Sequence, residues 1–347
     1  MRCTSRQAPF YWTQFGARVL ATLVLSVHPQ LTCTHSLPDG LVFFCVDRAD
    51  GPFGFMETYD PEYVSNTSDK AGQYAFAQQP EACKWNCQKL AEALSPVVPM
   101  AQLQPYLDRF DDLYFAAFSQ RMLAKLGLQT TAADDDALLQ DLLEVMQQTG
   151  ADWTVTFRAF CNVPTNALPN AEDDANIAAA LRPTIDRIVE CCASPQQLAT
   201  IHMQRSLEVG AASAAPVEAE RSEQLRRRAE ELGRAPPAAK HEHDFARWGV
   251  WLRTYVRRLQ REEIDDAAAW RSRMRSVNPR VVLRNWVAQE AIEAAEAGDT
   301  DVVERVLRAI THPFDESADE ALGMRGAPTD DERYALPSAA VEGRCVS

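Results

Sequence analysis

The sequence has no Cys-x-x-Cys pair, no basic stripe and, in its first 38 residues, no acid at all; each absence narrows what the chain can do. Its nine cysteines (3, 33, 45, 83, 87, 161, 191, 192 and 345) are odd in number and irregular in spacing. That is not a disulfide framework, and it fits a reducing or organellar interior. A net charge of −14 argues against sequence-independent nucleic-acid binding, which needs a basic footprint. The apolar run VLATLVLSV (19 to 27) has nine residues, whereas a membrane-spanning helix needs about 20. Around it stand Arg2, Arg6 and Arg18, and the first acid is Asp39. A basic, acid-free, partly apolar segment reads as a mitochondrial presequence, a secretory signal, or sequence foreign to the rest of the chain.

What is present suits a folded, helical protein. With 347 residues, 46% of them hydrophobic, the chain can build one large domain or two ordinary ones. Pro80 suits the first turn of a helix through EACKWNCQKLAEAL that Ser95-Pro96 stops. Leu103, Leu107, Phe110, Tyr114, Phe118 and Met122 repeat at three and four, predicting one helix that Gly127 ends. Asp134, Asp135 and Asp136 open a further helix that closes at Gly150. Acids suit a helix N-terminus, so they read as caps rather than as a metal cluster. Phe245, Trp248, Leu252, Tyr255 and Leu259 make another stripe. Arg253, Arg257, Arg258 and Arg261 around it, followed by Glu262, Glu263, Asp265 and Asp266, read as a solvated ion-pair face. Asn278-Pro279 is expected to cap VVLRNWVAQEAIEAAEAG, and Asp299 to cap DVVERVLRAI, giving an αα-hairpin. A single ankyrin-like unit, AAEAGDTDVVERVL, is too few for a solenoid.

Between these blocks, residues 209 to 244 turn to Ala, Pro and charge, which reads as a linker or surface insertion with room for one solvated helix. His241 and His243 fall there, two apart and poorly spaced for zinc, in what reads as a polar loop. Cys83 with Cys87, and Cys191 with Cys192, read as small core residues. Cys345, three residues from the C-terminus, reads as a redox candidate. The densest turn chemistry is ADGPFGFMETYD (49 to 60). Glycine admits left-handed backbone and proline stiffens the turn. Asp50 is then either part of a surface Asp-Gly turn or a ligand of Mg²⁺, which takes one or two carboxylates beside phosphate oxygens.

Three longer stretches resemble the selenoprotein O family in order and spacing. They are GPFGFMETYDPEYVSNTSD (51 to 69), GQYAFAQQPEACKWNCQKLAEAL (72 to 94), and NPRVVLRNWVAQEAIEAAEAGD (278 to 299) with VERVLRAITHPFDE (303 to 316). Cys345 matches that family's near-terminal cysteine or selenocysteine. The resemblance implies a mainly α chain forming the C-terminal helical lobe of a protein-kinase-like fold, with the nucleotide lobe missing. It also implies transfer of AMP from ATP, with Mg or Mn, to hydroxyls of protein substrates, and a mitochondrial location, with the cytoplasm as the alternative. The expected organisation is an unmatched segment over 1 to 48 (presequence or gene-model artefact), a kinase-like helical region over 49 to 208, the linker or insertion over 209 to 244, and a C-terminal helical region with the terminal cysteine over 245 to 347.

The sequence departs from the family pattern at the turn itself. The family's metal-binding aspartate stands two places before the first glycine, where this chain has Ala49, and Asp50 is one place later. The family's Asp-Asn pair and its ATP-clamping lysine and arginines have no counterpart in residues 1 to 48. The expectation is that this polypeptide transfers no AMP on its own and offers no assigned catalytic or nucleotide-binding residue. A non-catalytic helical interaction or regulatory protein is the alternative. Ser65 replaces the cysteine that partners the terminal one in some members, so Cys345 would need glutathione or another thiol partner.

Overall fold

The computed structural model describes residues 55–64, 69, 72–165, 174–212, 216–262 and 264–314. Ala49, Asp50, Ser65, Cys345 and the segment 1 to 48 lie outside them. The described residues are mainly helical and fall into two units, one of Asp60–Arg121 and one of Phe55–Tyr59 with the chain from Met122 onward.

In the first unit a 3₁₀ turn, Phe76–Gln78, leads into α1 (Gln79–Leu94), with Pro80 in its first turn and Ser95 as its C-cap, as its sequence predicts. The stripe from Leu103 to Met122 is not one helix. It divides into α2 (Met100–Leu107) and α3 (Phe110–Lys125). Pro105 inside α2 has no amide to give, and at Asp108–Arg109 the ladder tightens, Arg109 N donating to Tyr106 O at 3.3 Å. Leu103, Leu107, Phe110 and Tyr114 stay on one side across this break and pack with Cys87, Ala91 and Val98 into one core. Cys87 is buried in it and Cys83 packs against it, both as small hydrophobes. The unit boundary falls inside α3, after Arg121.

The second unit adds α4 (Asp135–Thr149), α5 (Trp153–Phe160), α6 (Asp174–Val189), α7 (Pro195–Ala212), α8 (Pro216–Arg234), α9 (Pro237–Gln260), α10 (Ala267–Val277), α11 (Asn285–Glu296) and α12 (Asp301–Thr311). Helix α9 is its axis. Trp248, Leu252, Tyr255 and Leu259 are buried as the stripe predicts, and Trp251 joins them. Phe160 stands among Trp248, Trp251 and Tyr255 with ring centroids 5.2 to 6.2 Å away. The polar tips of this aromatic core are satisfied: Trp248 Nε1 donates to Thr149 Oγ1, Trp251 Nε1 to Leu138 O, and the Tyr255 hydroxyl to Leu126 O at 2.6 Å. Gly127, at φ +71°, ends the α3 turn where a Cβ would sit 2.4 Å from the Trp270 indole nitrogen. Gly150, at φ +64°, closes α4 as expected.

Four local expectations are corrected. Asp134 occupies the N-cap place of α4, but its side chain accepts no helix amide. Asp135 is instead buried and takes Arg258 at 2.6 Å, while Asp134 pairs with Arg261 at 2.7 Å. The arginine-rich face of α9 is therefore not wholly solvated, since Arg258 is buried between Asp135 and Glu262. Asp135 and Glu262, by accepting from it, hold the guanidinium above its ordinary range against burial. Residues 209 to 244 are largely helical: they close α7, form α8 and open α9, so His241 and His243 lie on a helix rather than in a loop. Helix α8 has few apolar residues to bury; it packs along α7, with Ser206–Ser222 contacts between the two, and carries ion pairs on its solvent face. Asn278 does not start α11. It is the C-cap of α10, and residues 279 to 284 lie outside any helix before α11 begins at Asn285.

Candidate functional site

The described chain begins at Phe55, directly after the sequence Gly-Pro-Phe-Gly, and Phe55–Tyr59 is fastened at its first, third and fifth residues. Phe55 N donates to Asn285 Oδ1 at 2.9 Å, and Asn285 Nδ2 returns a bond to Phe55 O at 3.2 Å. Trp153 N donates to Glu57 O at 3.0 Å and Tyr59 N to Ala151 O at 2.8 Å, making an antiparallel bridge between Thr58 and Asp152. The Tyr59 ring lies 5.4 Å from Trp153, which lies 4.9 Å from Phe157. Phe55, Glu57 and Tyr59 thereby bond through their backbones to the start of α5 and to the side chain of the first residue of α11.

Beneath this segment is a buried cation. Arg284 Nη1 donates to Asp152 Oδ2 at 2.6 Å, Nη2 to Asp152 Oδ1 at 3.3 Å, and Glu57 Oε2 stands 3.4 Å away. Burial opposes the charge on Arg284, but the two carboxylates outweigh it and hold the guanidinium above its ordinary range. Asp152 also caps α5, its Oδ1 accepting from Val155 N at 2.7 Å, and Arg284 is itself the N-cap residue of α11. One ion-pair cluster thus ties two helix starts to the segment Phe55–Tyr59. Breaking such a buried pair from one side costs about 3–5 kcal/mol, because a charge is left without its partner. Burial raises the Tyr59 phenol, so it stays protonated beside the pair.

A second polar hub joins α3, α5 and α10. Lys125 Nζ donates to Asn278 Oδ1 at 3.0 Å and lies 4.7 Å over the Phe157 ring, and Asn278 Nδ2 returns a bond to Lys125 O. Burial lowers the Lys125 ammonium to about 8. The thiols nearby are core groups: burial raises Cys161, and pushes Cys191 to about 11 and Cys192 to about 12. Thiols held so high carry almost no thiolate near neutrality and make poor nucleophiles.

Neither cluster offers a donor set for a metal. The carboxylates of Glu57 and Asp152 face Arg284, and among the described residues no group of three or more His, Cys, Asp or Glu could hold an ion. Asp50 and Cys345, the two residues singled out by sequence, lie outside the described chain. What sequence reasoning missed is the anchor. Asp152 before Trp153 is a readable N-cap, but nothing local announces that Arg284, 132 positions away, completes it.

A family model described as "Protein adenylyltransferase SelO" matches residues 47–311. The chain is 37% identical over 297 residues to "Protein adenylyltransferase SelO, mitochondrial" of Mus musculus, covering 79% of this chain and 43% of the relative. It is 38% identical over 309 residues to the Homo sapiens protein of the same name, covering 81% and 43%. It is 31% identical over 271 residues to "Protein nucleotidyltransferase YdiU" of Salmonella typhi, covering 78% and 42%. The chain therefore spans about two fifths of the length of these relatives.

Proposed function

We propose that this chain, which belongs to the protein adenylyltransferase SelO family, carries part of the apparatus that transfers AMP from ATP to the side-chain hydroxyls of protein substrates, seating the family's Gly-Pro-Phe-Gly stretch on a helical, kinase-like lobe, and is catalytically incomplete by itself. The observation that carries this reading is the anchor. Asn285 and Arg284 lie in the family-like stretch NPRVVLRN, and they grip the residues directly after the turn. In phosphoryl and nucleotidyl transfer the protein's contribution is mainly positioning and charge stabilisation, so a rigid seat for a metal-bearing turn is a catalytic requirement. Mg or Mn and ATP are the implied cofactors. The described residues supply no donor set for them, and the anchor's part is to fix where the chain enters the turn.

Ala49, at the place of the family's metal-binding aspartate, favours the second reading, a helical interaction or regulatory protein that keeps the lobe without the transfer. The two separate on ATP. A chain that binds millimolar Mg-ATP gains thermal stability by mass action, which supports the first reading, and labelled AMP on an added protein, lost in Asp50→Ala, would overturn the expectation that the chain is catalytically incomplete. No thermal shift and no label leave the interaction protein as the working account.

A further inference from the structure

Helix α12 carries more apolar surface than its own packing uses. Val302, Val306 and Ala309 are buried in the core it shares with α11, and Ala291 and Ala294 of α11 pack against that core. Val303 and Leu307 form a second row on the same helix and stay 38% and 55% exposed, while Ile292 on α11 stays 51% exposed. A surface helix needs one apolar stripe, so the second row is surplus to this fold. The exposed residues also share one flank. Each residue advances about 100° around a helix, always in the same sense along the chain. Val303 and Leu307 stand one step after the packed Val302 and Val306, and Ile292 and the exposed Ala295 stand one step after Ala291 and Ala294. Helices α11 and α12 pack side by side and are joined by a short turn over residues 297 to 300, so they run antiparallel. Equal steps from the packed rows of antiparallel helices lead to the same side of the pair.

One further step round from each exposed residue is a charge: Glu293, Glu296, Glu304 and Arg308, three carboxylates to one guanidinium, all exposed. The carboxylates gather toward the turn, where Asp299 is exposed as well, and Arg308 lies at the far end. We propose that this flank of the α11–α12 hairpin, Ile292, Val303 and Leu307 within its acidic rim, is a docking surface for a basic amphipathic helix of a partner protein. Charge selects the occupant. An anionic membrane or a nucleic acid is repelled by the rim, and a second copy of this chain would bring the same carboxylates to the same place. A helix with Leu or Ile on one face and Lys or Arg beside it covers the apolar row and meets the carboxylates at once, the mode in which amphipathic helices are bound by apolar surfaces. The uneven rim also orients it, with its cations toward the turn at Asp299. The surface is about three turns long, so the contact is small, and its strength depends on salt.

The test is fluorescence anisotropy with the full chain and a labelled synthetic peptide of about 18 residues, long enough for an isolated helix, with leucines at every third and fourth position and lysines elsewhere. The peptide should bind saturably, and the same residues in scrambled order should bind at least ~10-fold more weakly. Val303→Ser with Leu307→Ser should weaken binding at least ~10-fold and leave the unfolding midpoint in place, since both side chains are exposed. Glu296→Gln with Glu304→Gln should weaken it about 3-fold at low salt and by less at high salt. Leu207→Ser, which changes an exposed apolar residue on α7, should leave it unchanged. No saturable binding overturns the proposal, as does equal binding by the Val303→Ser, Leu307→Ser form or equal weakening by Leu207→Ser. Self-association of the chain that this double substitution abolishes also overturns it, by placing a second copy on the flank.

Discussion

Helix α8 and the anchor at Arg284 both rely on ion pairs, but in opposite ways. Along α8, Arg226 meets Glu223 and Glu230, Arg227 meets Glu223, and Arg234 meets Glu230, all at spacings of three or four and all in solvent. Such pairs are each worth tenths of a kcal/mol and share the load with their neighbours. At the anchor a single buried guanidinium holds two carboxylates from residues 132 and 227 positions away, and no neighbour can replace it. The surface pairs keep a helix a helix. The buried pair decides where three separate segments lie, and that makes it a positioning element.

The contrast is breakable by mutation. Arg284→Ala leaves Asp152 and Glu57 facing each other without their cation and should cost about 3–5 kcal/mol in urea unfolding, enough to threaten the fold of this unit. A loss well under that range would mean the pair is no more than another surface contact.

Lys125 is the case between, a half-buried cation held by an amide and a ring rather than by a carboxylate. Its folded pKa of about 8 lies below its unfolded value, so above pH 8 the unfolded chain binds the extra proton and stability rises with pH until about 10.5. That rise, up to about 3 kcal/mol, should be present in the wild type and absent in Lys125→Met, whose difference also removes the opposing effect of the buried thiols. Equal pH profiles would show that Nζ is solvated.

Asn285→Ala removes two hydrogen bonds to Phe55 and should cost about 1 kcal/mol globally while loosening Phe55–Tyr59 locally. The smallest effect is expected from Arg226→Ala on α8, whose unfolding midpoint should stay where it is. A clear drop there would erase the distinction between the two regions.

The same distinction governs what was legible in the sequence. Elements fixed by near neighbours could be read: α1 from Pro80 and Ser95, the close of α4 at Gly150, and the buried stripe of α9 from its spacing. The α2–α3 break was hidden because a 3₁₀ step at Asp108–Arg109 keeps the apolar residues in line, so the periodicity gives no sign of it. The composition of residues 216 to 234 resembles a linker because a helix that lies on α7 through small residues and carries ion pairs on its outer face needs few large apolar residues. Asp135, Asn278 and Arg284 were misread or missed for one reason. Each looks like an ordinary local cap or surface charge, and each is committed to a partner more than a hundred residues away. Of the candidate site, sequence similarity marked the stretch NPRVVLRN, and only the fold shows what it grips.

The most direct measurement is amide hydrogen exchange of Phe55–Tyr59 in the wild type and in Asn285→Ala. If the anchor seats the chain after the sequence Gly-Pro-Phe-Gly, the variant exchanges there at least ~10-fold faster while α4 and α9 keep their protection. Unchanged exchange at Phe55–Tyr59 would contradict the account, since the segment would then hold its place without the residue assigned to hold it.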